Sequence, residues 1–554
     1  MAPTRFVCLL TLLAAGSAFA AEDDEKPPEE SSEDTTEEQS ALDATDRDDL
    51  EYQKSTAPLK KVVEGLSTSF TFDFEFHEVN NLDFRKLDEE HGDQGILDSD
   101  DRSGFTFSGI GLRLDYEVDE KVDLTLGASH RGLWGTDQLG GTNRFGGWIY
   151  FTNMFVDYHP WGKDGVHFRL GRQPFEIGGI AGTRDYVWAD INDMIRVDVP
   201  VGELGSVTLI PIDVAASTPN TDDVNFAGYI ASSTSSPWNF RGRNRTLRTG
   251  GMFRLAPKKS AFQATAYGFF TSVGAGGARR DGTPGTGADI SYAGELGNFA
   301  DNDWIMNGGL RVQYATGKLA FYGELDGSTG IDRKEEVAYD VDTTGAAWGA
   351  GAVYRPEEGT SGPIAQLSYF EALGAAYADD GMQYSHGYVG MKGRQIDGLI
   401  ANRYLGMHPT AYLGWAGVED DMHESDRKSG TRVIQLRAGY QNAGPITIFA
   451  NGLFLQDTGY TELDLDRLDT IDPPYGYSSL EFAAEERIGK IIGIEGDLQV
   501  WIEASEHLRF NVSSGIFVPG EYYKIEVARV AGTQLGSADA PPAWVINGGT
   551  HVRF

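Results

Sequence analysis

From Trp544 to Phe554 the chain alternates: Trp544, Ile546, Val552 and Phe554 fall on one side, and Asn547, His551 and Arg553 fall on the other. A period of two residues means a strand, because successive side chains of an extended backbone point to opposite faces. The same grammar appears far upstream, where Phe70, Phe72, Phe74 and Phe76 share one face and Thr71, Asp73, Glu75 and His77 share the other. Four phenylalanines in a row facing water make an apolar patch that soluble proteins seldom tolerate. Lipid is the expected neighbour of that face, and the polar face then lines a wet interior. The expected fold class is all-β, a transmembrane antiparallel β-barrel. A water-soluble solenoid or pair of sandwiches is the alternative.

The rest of the chain repeats the pattern as hairpins. Ile110, Leu112, Leu114, Tyr116 and Val118 alternate with Arg113, Asp115 and Glu117, and a tight turn leads into Val122, Leu124 and Leu126. Further strand pairs are expected at Trp148–Tyr158 with Val166–Gln173, Met194–Val201 with Val207–Ala215, and Leu247–Leu255 with Phe262–Val273. Then follow Trp304–Tyr314 with Leu319–Asp326, Ala347–Arg355 with Ile364–Phe370, and Gln395–Tyr404 with Thr410–Val418. Arg432–Tyr440 with Ile446–Leu455 and Ile491–Ala504 with Leu508–Phe517 complete the pattern before the last strand. That makes twenty candidates, and about 16 to 20 once boundaries are allowed to move. Short turns alternate with long polar loops, the asymmetry of barrels whose short turns are periplasmic and whose long loops are extracellular. A mean hydropathy of -0.33 is no objection, since a spanning strand is apolar only at alternate positions. Glycine, 70 of 554 residues against a typical ~7%, together with 24 Tyr, 29 Phe and 10 Trp, suits aromatic girdles and tight turns.

The two ends of the chain add an address. Arg5, the apolar run Phe6 to Ala15, and the small residues Ala18 and Ala20 around Phe19 read as a secretory signal peptide over 1–20, cut after Ala20. The only cysteine, Cys8, lies within it, so the mature chain has no thiol for disulfide, metal or catalytic chemistry. Residues 21–61 form an acidic stretch: Glu22 to Ala57 holds fifteen acids and three bases, a net of -12 within a formal charge of -37. Such a segment buries too little apolar surface to offset its ordering entropy and is expected to be a disordered periplasmic tail; a docking site for a basic partner is the other reading. The barrel is expected over 62–554. An aromatic last strand ending in Phe554 resembles the assembly signal of bacterial outer-membrane proteins. The resemblance implies the bacterial outer membrane as location and the lipid bilayer and barrel assembly machinery as partners.

Leu170 to Val197 reads LGRQPFEIGGIAGTRDYVWADINDMIRV. The stretch resembles the alginate-export family of outer-membrane porins: Gly171, Arg172 and Gln173 match a strand ending in LGRQ, and Gly178 and Gly182 match a glycine-punctuated loop. Arg184, Asp185 and Tyr186 match an RD-aromatic element in which the family usually carries Trp at the third place, and Asp193 and Arg196 match a following Asp-x-x-Arg. The resemblance implies a barrel of about 18 strands and a channel for hydrophilic solutes, with an acidic polysaccharide or oligosaccharide as one such solute. On the residues themselves, Arg172, Arg184, Asp185 and Arg196 either fix a loop by ion pairs or present guanidinium groups to a carboxylate-bearing solute.

By parity the lumen receives Arg113, Arg131, Arg169, Arg311, Arg403, Arg437, Arg509 and Arg553, of which the first six form, with the four residues above, the candidate pore-lining set. It also receives Asp73, Glu75, Asp115, Glu117, Asp123, Asp157, Asp198, Glu324, Asp326, Glu495, Asp497 and Glu503. A conduit for polyanions should lean to one sign. This one is mixed, so a general diffusion porin is equally compatible. The rival from another class is a barrel lipase or protease, for which Ser385 with His386, or Asp420, Asp421 and His423, would have to meet in a loop. The Asp464, Asp466, Asp469 and Asp472 loop lacks the Gly and terminal Glu of an EF-hand. The sequence calls for no cofactor or metal and no catalytic residue, and an acidic chain without a basic stripe is not expected to bind nucleic acid.

Overall fold

The computed structural model describes residues 60–63, 65–81, 102–134, 149–178, 185–215, 245–257, 260–274, 303–333, 340–356, 360–374, 376–377, 384–385, 387–388, 390–391, 396–405, 407, 409, 430–441, 445–458, 460–461, 491–523 and 540–554. The expected signal peptide, nearly all of the acidic tail, Thr410–Val418, Arg184, His386, Asp420, Asp421, His423 and the Asp464 to Asp472 loop lie outside these residues, as do the side chains of Arg131 and Ser385.

Eighteen strands run antiparallel, each bonded to the next. They are β1 (Leu66–Asn80), β2 (Arg102–Asp119), β3 (Val122–Trp134), β4 (Ile149–Tyr158), β5 (His167–Glu176), β6 (Ala189–Pro200), β7 (Gly205–Ala215), β8 (Arg245–Leu255) and β9 (Phe262–Gly274). The sheet continues with β10 (Asp303–Thr316), β11 (Leu319–Arg333), β12 (Asp340–Tyr354), β13 (Gly362–Ala372), β14 (Thr431–Gln441), β15 (Ile446–Asp457), β16 (Ile491–Ser505), β17 (Leu508–Pro519) and β18 (Ala543–Arg553). β18 pairs with β1 from Thr71↔Arg553 to Asn80↔Trp544, which closes the sheet into a barrel and leaves no free edge. Phe554 and Phe70 then exchange two backbone hydrogen bonds of 2.8 and 2.9 Å at the seam. The short strand Lys60–Val63 folds back on β1.

The alternation read from the sequence is what sorts the two faces. On β1, Phe70, Phe74 and Phe76 are exposed on the outside, while Ser69, Thr71, Asp73, Glu75 and His77 are buried within. Exposed Ile110, Leu126, Met154, Leu325, Leu436 and Val512 carry the apolar exterior around other strands. Backbone donors and acceptors are satisfied from strand to strand, and the apolar surface faces outward, which is the arrangement a bilayer requires. At the Phe554 end the strands are joined by short links such as 120–121, 201–204, 317–318 and 506–507, and at the other end by long ones, the longest being 373–430.

That longest link corrects one expectation. Gln395–Tyr404 is not a wall strand: Leu399–Arg403 forms the short helix α1, capped at Gly398, and Leu399, Ile400, Ala401 and Asn402 are all buried. Apolar residues at 396, 399 and 400 recur with helical rather than alternating spacing, and a segment packed inside the barrel buries every face. With Gln395–Tyr404 off the wall and Thr410–Val418 outside the described residues, the other eighteen of the twenty expected strands form the wall.

Candidate functional site

Two segments fold over the inner wall, and each brings its own apolar core. The first spans 177–178 and 185–188 between β5 and β6. Ile177, Val187 and Trp188 are completely buried, in one cluster with Phe175, Met252, Tyr267, Phe269, Phe370, Tyr388 and Met391. The second, 396–405 with 407, packs Ile396, Leu399, Ile400 and Ala401 against Val79, Phe105, Val433, Leu453, Leu455, Phe517 and Val545. A barrel this wide cannot fill its interior from the wall alone, so inserts supply the missing layer.

Asp185 is the hub of the first insert. Its carboxylate accepts the backbone N–H of Gly178 at 3.2 Å, of Val187 at 3.1 Å and of Trp188 at 3.2 Å, which ties the two ends of the loop together. Arg311 of β10 reaches the same group at 2.8 Å through Nη2, donates to the Gly178 carbonyl at 2.8 Å, and pairs with Glu324 of β11 at 3.1 Å. The guanidinium is 5.7 Å from the centre of the Tyr267 ring, whose hydroxyl donates to Asp326 at 2.5 Å. Arg311 and Asp185 are both buried, so neither meets a passing solute; they are a fastening. Arg248 repeats the device against Asp213 at 3.5 Å, lying 5.2 Å from the Trp188 ring.

The family-like stretch reads as scaffolding residue by residue. Gly171 has φ +123°, and a Cβ there would sit 2.3 Å from the Met154 carbonyl, so β5 closes on β4 only with glycine at this place. Gly178 has φ +108° and would crowd the Arg254 guanidinium at 2.6 Å. Buried Gln173 donates to the Met194 carbonyl at 3.2 Å. Arg172 departs from the expected pore lining: it lies on the outer face beside exposed Leu170 and Ile195, held by a two-pronged pair with Asp193 at 2.9 and 2.8 Å. An odd offset from the inward Arg169 puts it there.

The second insert inverts the polarity of the first. Here the wall supplies the carboxylates: Glu495 of β16 accepts the N–H groups of Ile400 at 2.6 Å and Ala401 at 2.8 Å, and Asp497 accepts that of Leu399 at 3.2 Å. Those are the donors a helix start leaves unpaired. Asp397 in turn pairs with buried Arg437 of β14 at 3.2 Å and accepts from Gln435 at 3.2 Å. Arg403 pairs with Glu75 at 3.4 Å. Burial raises the Tyr404 phenol well above its ordinary pKa, so it stays protonated. Its hydrogen goes to Asn547 at 2.9 Å, which makes Nδ1 of His77 the donor to the phenol oxygen at 2.7 Å.

The remaining expected residues sit lower on the wall and are partly exposed to the lumen. Arg113 pairs with Asp115 at 2.9 Å, Arg169 with Asp157 at 2.7 and 2.9 Å, and Arg196 with Asp198 at 2.7 Å. Thus Arg113, Arg169 and Arg196 line the interior, Arg311 and Arg437 are buried beneath inserts, Arg403 belongs to an insert, and Arg172 lies outside. Parity found Glu324, Glu495 and Asp497 as inward positions but not their tasks, and it missed Asp397, Tyr404 and His77 as anchors. The helical spacing at 396, 399 and 400 was the available signal. Among the described residues no group of three His, Cys, Asp or Glu side chains is arranged to hold a metal ion.

No family model matches the sequence, and no curated protein matches it. Solved structures similar to this chain include the outer membrane protein OprD from Pseudomonas aeruginosa, 10% identical over 90% of this chain and 96% of that one, with a TM-score of 0.45. OccAB2 of Acinetobacter baumannii is 11% identical over 89% of this chain and 98% of its own, with a TM-score of 0.44. The outer membrane protein opdK from Pseudomonas aeruginosa is 8% identical over 89% and 99%, with a TM-score of 0.44.

Proposed function

We propose that the chain is an outer-membrane channel for hydrophilic solutes, narrowed by its two inserts and without enzymatic activity. The observation that carries this reading is the division of faces: Phe74, Phe76 and their counterparts turn outward all around a closed barrel, while charged and hydrogen-bonding side chains turn in. In this reading 1–20 is the export signal, 21–61 a periplasmic tail, and Phe554, bonded to Phe70 at the seam, the signal handed to the barrel assembly machinery. Among possible solutes, a general hydrophilic class is favoured over an acidic polysaccharide of the alginate type. Each described lumen arginine of the candidate set has a carboxylate partner: Arg113 with Asp115, Arg169 with Asp157, Arg196 with Asp198, Arg403 with Glu75. A polyanion would instead be drawn by a run of one sign. Planar-bilayer recording tests this: the expected result is discrete conductance with weak preference between cations and anions and no block by oligouronate. Strong anion selectivity with oligouronate block would favour the polysaccharide reading, and absence of conductance from folded barrels would reject the channel.

A further inference from the structure

One arc of the lumen near the short-turn end carries a row of charges in an unusual order. Glu117 lies opposite Asp123 across β2 and β3, Asp123 opposite Asp157 across β3 and β4, Asp157 opposite Arg169 across β4 and β5, and Arg169 opposite Arg196 across β5 and β6. Five strands in succession thus present three carboxylates and then two guanidinium groups along one line. Like charges directly opposite on neighbouring strands destabilise a sheet, and an alternating order of the same five residues would remove three such clashes. The fold tempers them from the sides. Lys163 reaches Glu117 at 3.2 Å and Asp123 at 3.8 Å, His159 reaches Asp123 at 3.2 Å, and Asp198 holds Arg196. Arg169 grips Asp157 at 2.7 and 2.9 Å where the two halves of the row meet, and that pair stabilises the wall, yet it does not require the like-charged neighbours on either side of it.

We propose that this row is a subsite for compact zwitterions, solutes that carry an ammonium group and a carboxylate. The ammonium lies toward Asp123 and Asp157 and the carboxylate toward Arg169 and Arg196. With strands ~4.8 Å apart, the Asp157 and Arg196 backbones are about 10 Å apart, a span that a dipeptide-sized molecule fills with both ends engaged. A neutral solute gains nothing from either half, and a simple anion or cation meets one half and is repelled by the other. The row therefore reads a dipole rather than a net charge.

This inference rests on the channel reading, and liposome swelling separates the two. In vesicles bearing the full-length barrel, glycylglycine should enter about threefold faster than erythritol, the size of effect one exposed charge-pair interaction supplies. In the double variant Asp157→Arg/Arg169→Asp the pair and the net charge are kept but the order alternates from Asp123 onward, and the glycylglycine-to-erythritol ratio should fall to about one. A wild-type ratio of one, or a preference that survives the exchange, would overturn the subsite while leaving the channel intact. Failure of wild-type vesicles to admit erythritol at all would instead reject the channel. Should the exchanged barrel not assemble, judged by heat-modifiable gel migration, Arg196→Gln is read in its place and should lower the ratio in the same direction.

Discussion

The two inserts do the same job with opposite chemistry. In the first, a wall cation holds an insert carboxylate: Arg311 fastens Asp185, which has already gathered three backbone N–H groups of its own loop. In the second, wall carboxylates hold insert backbone: Glu495 and Asp497 receive the open N–H groups of α1. The first fastening depends on one buried charge whose removal strands several opposite charges. The second is shared between two neighbouring acids, so removing one leaves the other still holding α1. An insert therefore can be pinned by a single ion pair or by a distributed set, and the two should fail differently.

The sharpest way to break this comparison is Arg311→Met. It leaves Asp185, Glu324 and Asp326 buried without their cation and should cost about 3–5 kcal/mol, read as a lowered unfolding midpoint in detergent together with noisier open-channel current. Glu495→Gln should cost less, about 1.5–3 kcal/mol, since the hydrogen bonds to Ile400 and Ala401 weaken while Asp497 still holds Leu399. Equal losses in the two variants would contradict the distinction between single and shared fastening. Tyr404→Phe should cost about 1 kcal/mol by leaving Asn547 and His77 short of one partner, and hydrogen exchange at the amides of α1 should rise before any change at Val187 or Trp188. Arg172→Gln should have the smallest effect on the lumen. Its pair with Asp193 is outside the barrel, so cation-over-anion permeability should match the parent, and a shift in that ratio would return Arg172 to the channel.

Legibility followed burial geometry. The wall strands were readable because one face of each meets an apolar exterior and the other a polar interior, so every second residue carries the signal. The inserts were not, because a segment enclosed by the barrel buries polar and apolar residues alike, and the helical spacing at 396, 399 and 400 is too short a run to stand out. Gln395–Tyr404 thus passed for a strand although Leu399, Ile400, Ala401 and Asn402 are buried in succession. Arg311 illustrates the same limit for the site. Its inward direction followed from counting, yet whether it lines the channel or lies beneath a loop depends on residues more than a hundred positions away.

What the chain determined by itself is the barrel, the direction of each wall side chain, and the glycines at 171 and 178 that its close approaches demand. These are local properties, set by a two-residue period and by backbone sterics. Only the tertiary structure decided which charges meet. Asp185 with Arg311, Asp397 with Arg437, and the ordered row from Glu117 to Arg196 arise from strand register and insert packing, which join positions that no sequence spacing relates. Coulomb interactions act through distance in space, and in a closed barrel that distance is set by the wall's circumference rather than by order along the chain.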